Sequence, residues 1–143
     1  MSSLLTLTGT IKQPVQLSVM ELDRLPEEGQ IRDISQIVPG REGTAIRLAT
    51  ILDQFPPQPD ATHLTLHASR DGFAASLPLD QVRDVGLILY KQGGDPLSAE
   101  QGGPFRFLIE NAAPCKTAEL DACANVKYLD EIEYSVGKGK ETR

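Results

Sequence analysis

The chain has 143 residues, which suits one domain and at most two. Fourteen lysines and arginines against twenty aspartates and glutamates leave a formal charge of −6, with a pI of about 4.9. That balance argues against a grip on a nucleic-acid backbone, which needs a basic face. No apolar run approaches the ~20 residues of a membrane span. Met1 to Thr6 lacks the basic start and apolar middle of a signal peptide. A cytoplasmic protein that binds neither nucleic acid nor membrane is therefore expected. With no tryptophan, four phenylalanines and three tyrosines, its core must be mostly Leu, Ile and Val.

Leu5, Leu7 and Gly9 alternate with Thr6, Thr8 and Thr10, the period of a half-buried strand. Pro14 closes it, and Val15 to Leu17 can return as a short partner. Ser18 and Glu21 stand at capping-box spacing, which predicts a helix over Val19–Leu25, stopped by Pro26. Gln30–Val38 reads as a strand with Ile31, Asp33, Ser35 and Ile37 on one face, ahead of a Pro39-Gly40 turn. Ile46, Ala49, Ile51 and Leu52 fall at helical spacing and predict a helix over Arg47–Phe55, ended by Pro56-Pro57. In Thr62–Ala68, Leu64 and Leu66 face one way and His63, Thr65 and His67 the other. Asp71-Gly72 is a hairpin signal, with Phe73–Leu77 as the partner strand. Pro78 suits the start of a helix over Leu79–Val85. Leu87–Tyr90 reads as a buried strand, and Lys91–Gly103 as a polar, glycine-rich loop. Phe105–Ile109 and Val126–Val136 make the last strands. About eight short strands and three short helices give an α+β, β-rich domain over residues 1–136. Residues 137–143 read as a frayed, solvated and flexible tail.

Chemistry-bearing residues are sparse. His63 and His67 lie on one face of a strand, but about 13 Å apart at ~3.3 Å per residue. Solvated or lightly packed histidines are the better reading than a zinc pair, and no residue is assigned as a metal ligand. Cys115 and Cys123 alone cannot close a tetrahedral zinc site. Two buried or idle thiols are expected ahead of a loop disulfide, which a reducing cytosol disfavours; a redox or metal pair is the remaining alternative. Gln92-Gly93-Gly94-Asp95 and Gln101-Gly102-Gly103-Pro104 carry no Walker lysine and read as turns.

The order of short motifs is more informative. Leu5-Thr6-Leu7-Thr8-Gly9 comes first, then Leu22 to Pro26, Arg47-Leu48 with Ile51-Leu52, and Ser69-Arg70-Asp71-Gly72-Phe73. Gly102-Gly103-Pro104-Phe105-Arg106-Phe107 and Asn125-Val126-Lys127-Tyr128-Leu129 complete the series. This order resembles the molybdopterin-binding domain of the sulfite oxidase family, from about residue 4 to residue 136. The resemblance implies a sulfite-oxidase-type fold of mixed, bent sheets that holds a molybdopterin cofactor, with oxidoreductase activity, no haem, and a possible redox partner protein. It implies that Arg106 and Lys127 converge on one hollow to bind the anionic cofactor, with Asp71 at a turn near the pocket. Asn125 belongs to the Lys127 motif, and Gln101 stands where the family has a histidine. In the family a cysteine thiolate after the first helix holds the metal. Here that segment, Gln30 to Gly40, has no cysteine, and Asp33 or Ser35 would be a harder substitute. The expected protein is thus a member degenerate at the metal ligand. The alternative is a non-catalytic module of the same fold that binds a small anionic ligand or a partner protein.

Overall fold

Leu5 and Leu7 are fully buried while the threonines between and beyond them are only partly so. The alternation does become a strand in the computed structural model, which describes residues 3–143. In chain order the elements are β1 (Leu4–Gly9), β2 (Val15–Ser18), α1 (Val19–Asp23), β3 (Gln30–Ile31), β4 (Thr44–Arg47), α2 (Leu48–Gln54) and β5 (His63–Ala68). They continue as β6 (Phe73–Pro78), α3 (Leu79–Val82), β7 (Gly86–Gln92), β8 (Asp95–Pro96), β9 (Phe105–Ile109), β10 (Val126–Leu129) and β11 (Glu131–Ser135). One sheet runs β2-β1-β11-β5-β6, and the other β10-β9-β7-β4-β3 with β8 paired to β7. β1 and β11 are parallel, whereas every other strand pair is antiparallel.

Between the sheets lies the main core, which includes Leu7, Leu66, Ile88, Phe107, Ile132 and Tyr134. A second cluster, with Ile34, Leu87, Leu89 and Leu108, covers the far face of the second sheet. β7 is therefore buried on both faces, which is why Leu87–Tyr90 is continuously apolar rather than alternating. The capping box at α1 is present: Glu21 N–H donates to Ser18 Oγ, and Ser18 N–H to Glu21 Oε1, both at 3.1 Å.

Several regions differ from the sequence reading. Ile46, expected in a helix, lies in β4; the expected loop Lys91–Gly103 holds the end of β7 and all of β8; and Val126–Val136 divides into β10 and β11, which belong to different sheets. The strand expected over Gln30–Val38 ends at Ile31 and gives way to a 3-10 turn over Ile34–Gln36. Asp33 Oδ1 accepts from Ser35 N (3.0 Å) and Ser35 Oγ (2.5 Å), so a local side-chain turn replaces the ladder. Cys115 and Cys123 are not free thiols but a disulfide, with Cα atoms 5.1 Å apart. The loop folds back on itself, Ala122 N–H donating to Ala113 O at 2.7 Å, and this return brings the sulfurs together. Residues 137–143, expected to fray, instead lie along β6. Gly139 N–H donates to Ser76 Oγ (2.9 Å), Thr142 N–H to Ala74 O (2.8 Å), and Ala74 N–H to Thr142 Oγ1 (2.9 Å). That strap makes Thr65 and Ser76, on the outward face, fully buried. A side chain at Gly139 would collide with Thr65 Oγ1, so glycine lets the strap sit close. Polar anchoring of this kind leaves no hydrophobic period to read.

Candidate functional site: a cationic hollow beside the Gly-Gly-Pro loop

The loop ahead of β9 is built as a rigid shelf. Ser98 and Gln101 cap a 3-10 turn over Ala99–Gln101 reciprocally, at 3.3 and 3.0 Å. Gly102 ends the turn with φ of +88°, the left-handed region that glycine enters without penalty. A Cβ there would lie 2.8 Å from Arg106 Nη1, so the glycine also makes room for the guanidinium. A Cβ at Gly103 would strike the Leu97 carbonyl. The Gly-Gly pair thus lets this shelf lie against both Arg106 and Leu97.

Arg106 projects from β9 away from the buried Phe105 and Phe107. Its Nη1 donates to Gln101 O at 3.2 Å, while its Nε is buried with no hydrogen-bond partner. Arg106 shares a hollow of about 180 Å³ with Gly40, Arg41, Gln92 and Gln101. Glu42 also lines this hollow, yet among the described residues no carboxylate comes within ion-pairing distance of Arg41 or Arg106. Burial, followed by the like charge of Arg41, lowers the Arg106 pKa from its ordinary value. Two guanidinium groups around a small space, one with an orphaned donor, are chemically matched to an oxyanion.

Across the shelf, a second hollow of about 300 Å³ is lined by Arg70, Leu97, Pro104, Tyr128 and Asp130 among others. The Arg70 guanidinium stacks over the Tyr128 ring, 4.5 Å from its centroid. Tyr128 sits in a bulge of β10 against β9, with φ of +59°, and its N–H donates to Gly102 O at 2.7 Å. A larger hollow, about 630 Å³, runs beside Met20, Leu97 and Pro104. Its charges are satisfied internally: Lys91 Nζ lies 3.1 Å from Asp23, whose pKa is pulled down to about 2, chiefly by Arg32.

The five residues singled out from sequence are dispersed. Arg106 and Gln101 meet in the cationic hollow, Gln101 through its backbone carbonyl as well. Lys127 is exposed on β10 and does not line that hollow, so the convergence expected of Arg106 and Lys127 is instead one of Arg106 and Arg41. Asp71 is exposed at the β5–β6 turn, and it is the neighbouring Arg70 that reaches Tyr128. Asn125 Oδ1 accepts from Ile109 N at 2.9 Å and so ties the start of β10 to the end of β9. Sequence reasoning missed Arg41; the only signal was a basic side chain next to the Pro39-Gly40 turn. The cysteines, being bridged to each other, offer no thiolate.

A family model described as the oxidoreductase molybdopterin-binding domain matches residues 42–141. Among curated proteins, an uncharacterized oxidoreductase, YuiH, of Bacillus subtilis (strain 168) is 26% identical over 132 residues, covering 89% of this chain and 62% of that protein. Among solved structures, the sulfane dehydrogenase SoxCD from Paracoccus pantotrophus superposes with a TM-score of 0.67 at 16% identity. That match covers 95% of this chain and 39% of the other, so the chain spans less than two thirds of either relative.

Proposed function

Because the chain belongs to the oxidoreductase molybdopterin-binding domain family and has the sulfite-oxidase-type fold, we propose that it is a member degenerate at the metal. In this reading it holds the anionic end of a pterin cofactor, or a similar small anion, between Arg41 and Arg106. The observation that carries the reading is the buried, unpartnered Nε of Arg106 in a hollow with no ion-paired carboxylate. A desolvated guanidinium left without a counter-charge is costly unless an anion completes it.

The two ends of the cofactor fare differently. The anionic end fits the donors present: Arg41, Arg106 and the polar rim at Gln92 and Gln101. Arg70 and Tyr128 lie across the shelf as a flat cationic and aromatic surface. The metal end does not fit. Bound molybdenum supplies two-electron redox chemistry and favours a soft thiolate. The segment Gln30–Gly40 offers only Asp33 and Ser35, which bond to each other. No redox step is therefore assigned to this chain's residues. The Cys115–Cys123 bridge also favours a compartment where thiols are not kept reduced, against the cytoplasmic expectation.

Metal and pterin analysis of the chain purified from a molybdate-replete host tests this reading. It predicts molybdenum far below one atom per chain. Stoichiometric molybdenum that survives dialysis would overturn the degenerate assignment.

A further inference from the structure

On the outward face of the first sheet, the register sets three potential ligands together. β11 lies between β1 and β5, with Glu131 opposite His67 and Glu133 opposite Thr65, while Thr8 of β1 pairs with Glu133. Glu131, Glu133 and His67 point away from Ile132, Leu66 and Tyr134, which are fully buried in the core. His67 Nε2 lies 2.9 Å from Glu133 Oε1, and Thr8 Oγ1 donates to Glu131 Oε2 at 2.5 Å. One ligand atom from each of His67, Glu131 and Glu133 falls within 4.8 Å of the other two. Side chains two apart on a strand face are free to splay, yet these two carboxylates turn in towards one imidazole, against their mutual repulsion. Among the described residues neither carboxylate has a lysine or arginine within ion-pairing distance, and His67 Nε2 is the side-chain nitrogen set against Glu133.

We propose that His67, Glu131 and Glu133 form a divalent-cation site of the zinc class, separate from the Arg106 hollow in the other sheet and independent of its role. One imidazole nitrogen with two carboxylate oxygens suits a borderline first-row ion, whereas calcium and magnesium prefer oxygen alone. A dication removes the repulsion that the fold builds in. Three protein ligands on an open sheet face leave the remaining positions to water. Glu133, with 41% of its side chain exposed, has room to close onto the ion. Because His67 is far in sequence from Glu131 and Glu133, binding clamps β5 to β11 at the centre of the sheet. His63, four residues away on the same strand, bonds instead with the Thr62 hydroxyl and takes no part.

The test is a calorimetric titration of zinc chloride into the metal-free full chain, paired with thermal melts. The expected result is one zinc per chain and a higher melting temperature. His67→Asn, Glu131→Gln and Glu133→Gln should each weaken binding by about tenfold or more, while His63→Asn leaves it unchanged and calcium does not compete. Circular dichroism of each variant separates lost ligation from lost fold, and the two Glu→Gln substitutions are isosteric, so the folded ones suffice. Absence of saturable zinc binding would overturn the site. So would affinity unchanged in the folded variants, or a loss in His63→Asn equal to that in His67→Asn.

Discussion

Arg143, at the end of the C-terminal strap, has 13% of its side chain exposed and meets three carboxylates. It lies 2.6 Å from Glu141 and 3.2 Å from Asp121, with Glu119 at 3.9 Å. Arg106, on β9, is also drawn out of solvent, but it meets Arg41 and a single backbone carbonyl and keeps one buried donor unpaired. Their pKa values move in opposite directions: the Glu141 carboxylate raises that of Arg143, and burial lowers that of Arg106. A neutralised arginine is part of the scaffold. An unneutralised one gains from an anion that completes it, and the proposed anion site rests on that difference.

The contrast is sharpest if Arg143 is removed. Arg143→Ala leaves Asp121, whose side chain is 6% exposed, without its cation. Breaking such a pair costs about 3 kcal/mol, and urea denaturation of the two chains should show it. A loss below about 0.5 kcal/mol, the range of a neutral surface change, would break the comparison from the Arg143 side.

Opening the disulfide comes next in size. The bridge spans a sequence separation of eight, and a loop of that length is worth about 2.5 kcal/mol in chain entropy. It also holds the loop that carries Asp121. Reductant should therefore lower the melting temperature and speed hydrogen exchange at the Ala74 amide, which the strap covers. Exchange there unaffected by reduction would uncouple loop from strap.

Acid gives a smaller effect with a defined sign. Burial pushes the Asp121 carboxyl up, but the Lys116 amide and Arg143 outweigh it, leaving the pKa below the ordinary 3.8. Glu141 behaves alike, burial being outweighed by Arg143, below its ordinary 4.5. Carboxylates lowered by folding contribute stability that is present above those ordinary values and is lost as pH falls through the folded ones. The melting temperature should thus drop as pH falls below about 4, and less steeply in Arg143→Ala. At the far end of the scale, Arg106→Met should leave the stability of the ligand-free chain unchanged or slightly raised, since it removes a desolvated charge and breaks no ion pair.

What the sequence disclosed follows the range of the forces involved. Period-two runs led to β1 and β5, the Asp71-Gly72 turn to β6, and the Ser18–Glu21 spacing to α1, because each is decided within a few residues. The motif order led to the family and its fold. Gln30–Val38 misled because its alternation was real but Asp33 and Ser35 bonded locally. The strap, the disulfide and the meeting of Arg41 with Arg106 depend on partners brought close only by the fold. Arg41, in the loop ahead of β4, and Arg106, within β9, are 65 positions apart, and no hydrophobic period links them.

Binding of a small oxyanion between those two arginines is the claim to test, and calorimetric titration of the full chain with inorganic pyrophosphate tests it most directly. The account predicts saturable binding that weakens about tenfold or more in Arg106→Gln and persists in Lys127→Gln. No binding by the parent chain, or equal binding by Arg106→Gln, would contradict it.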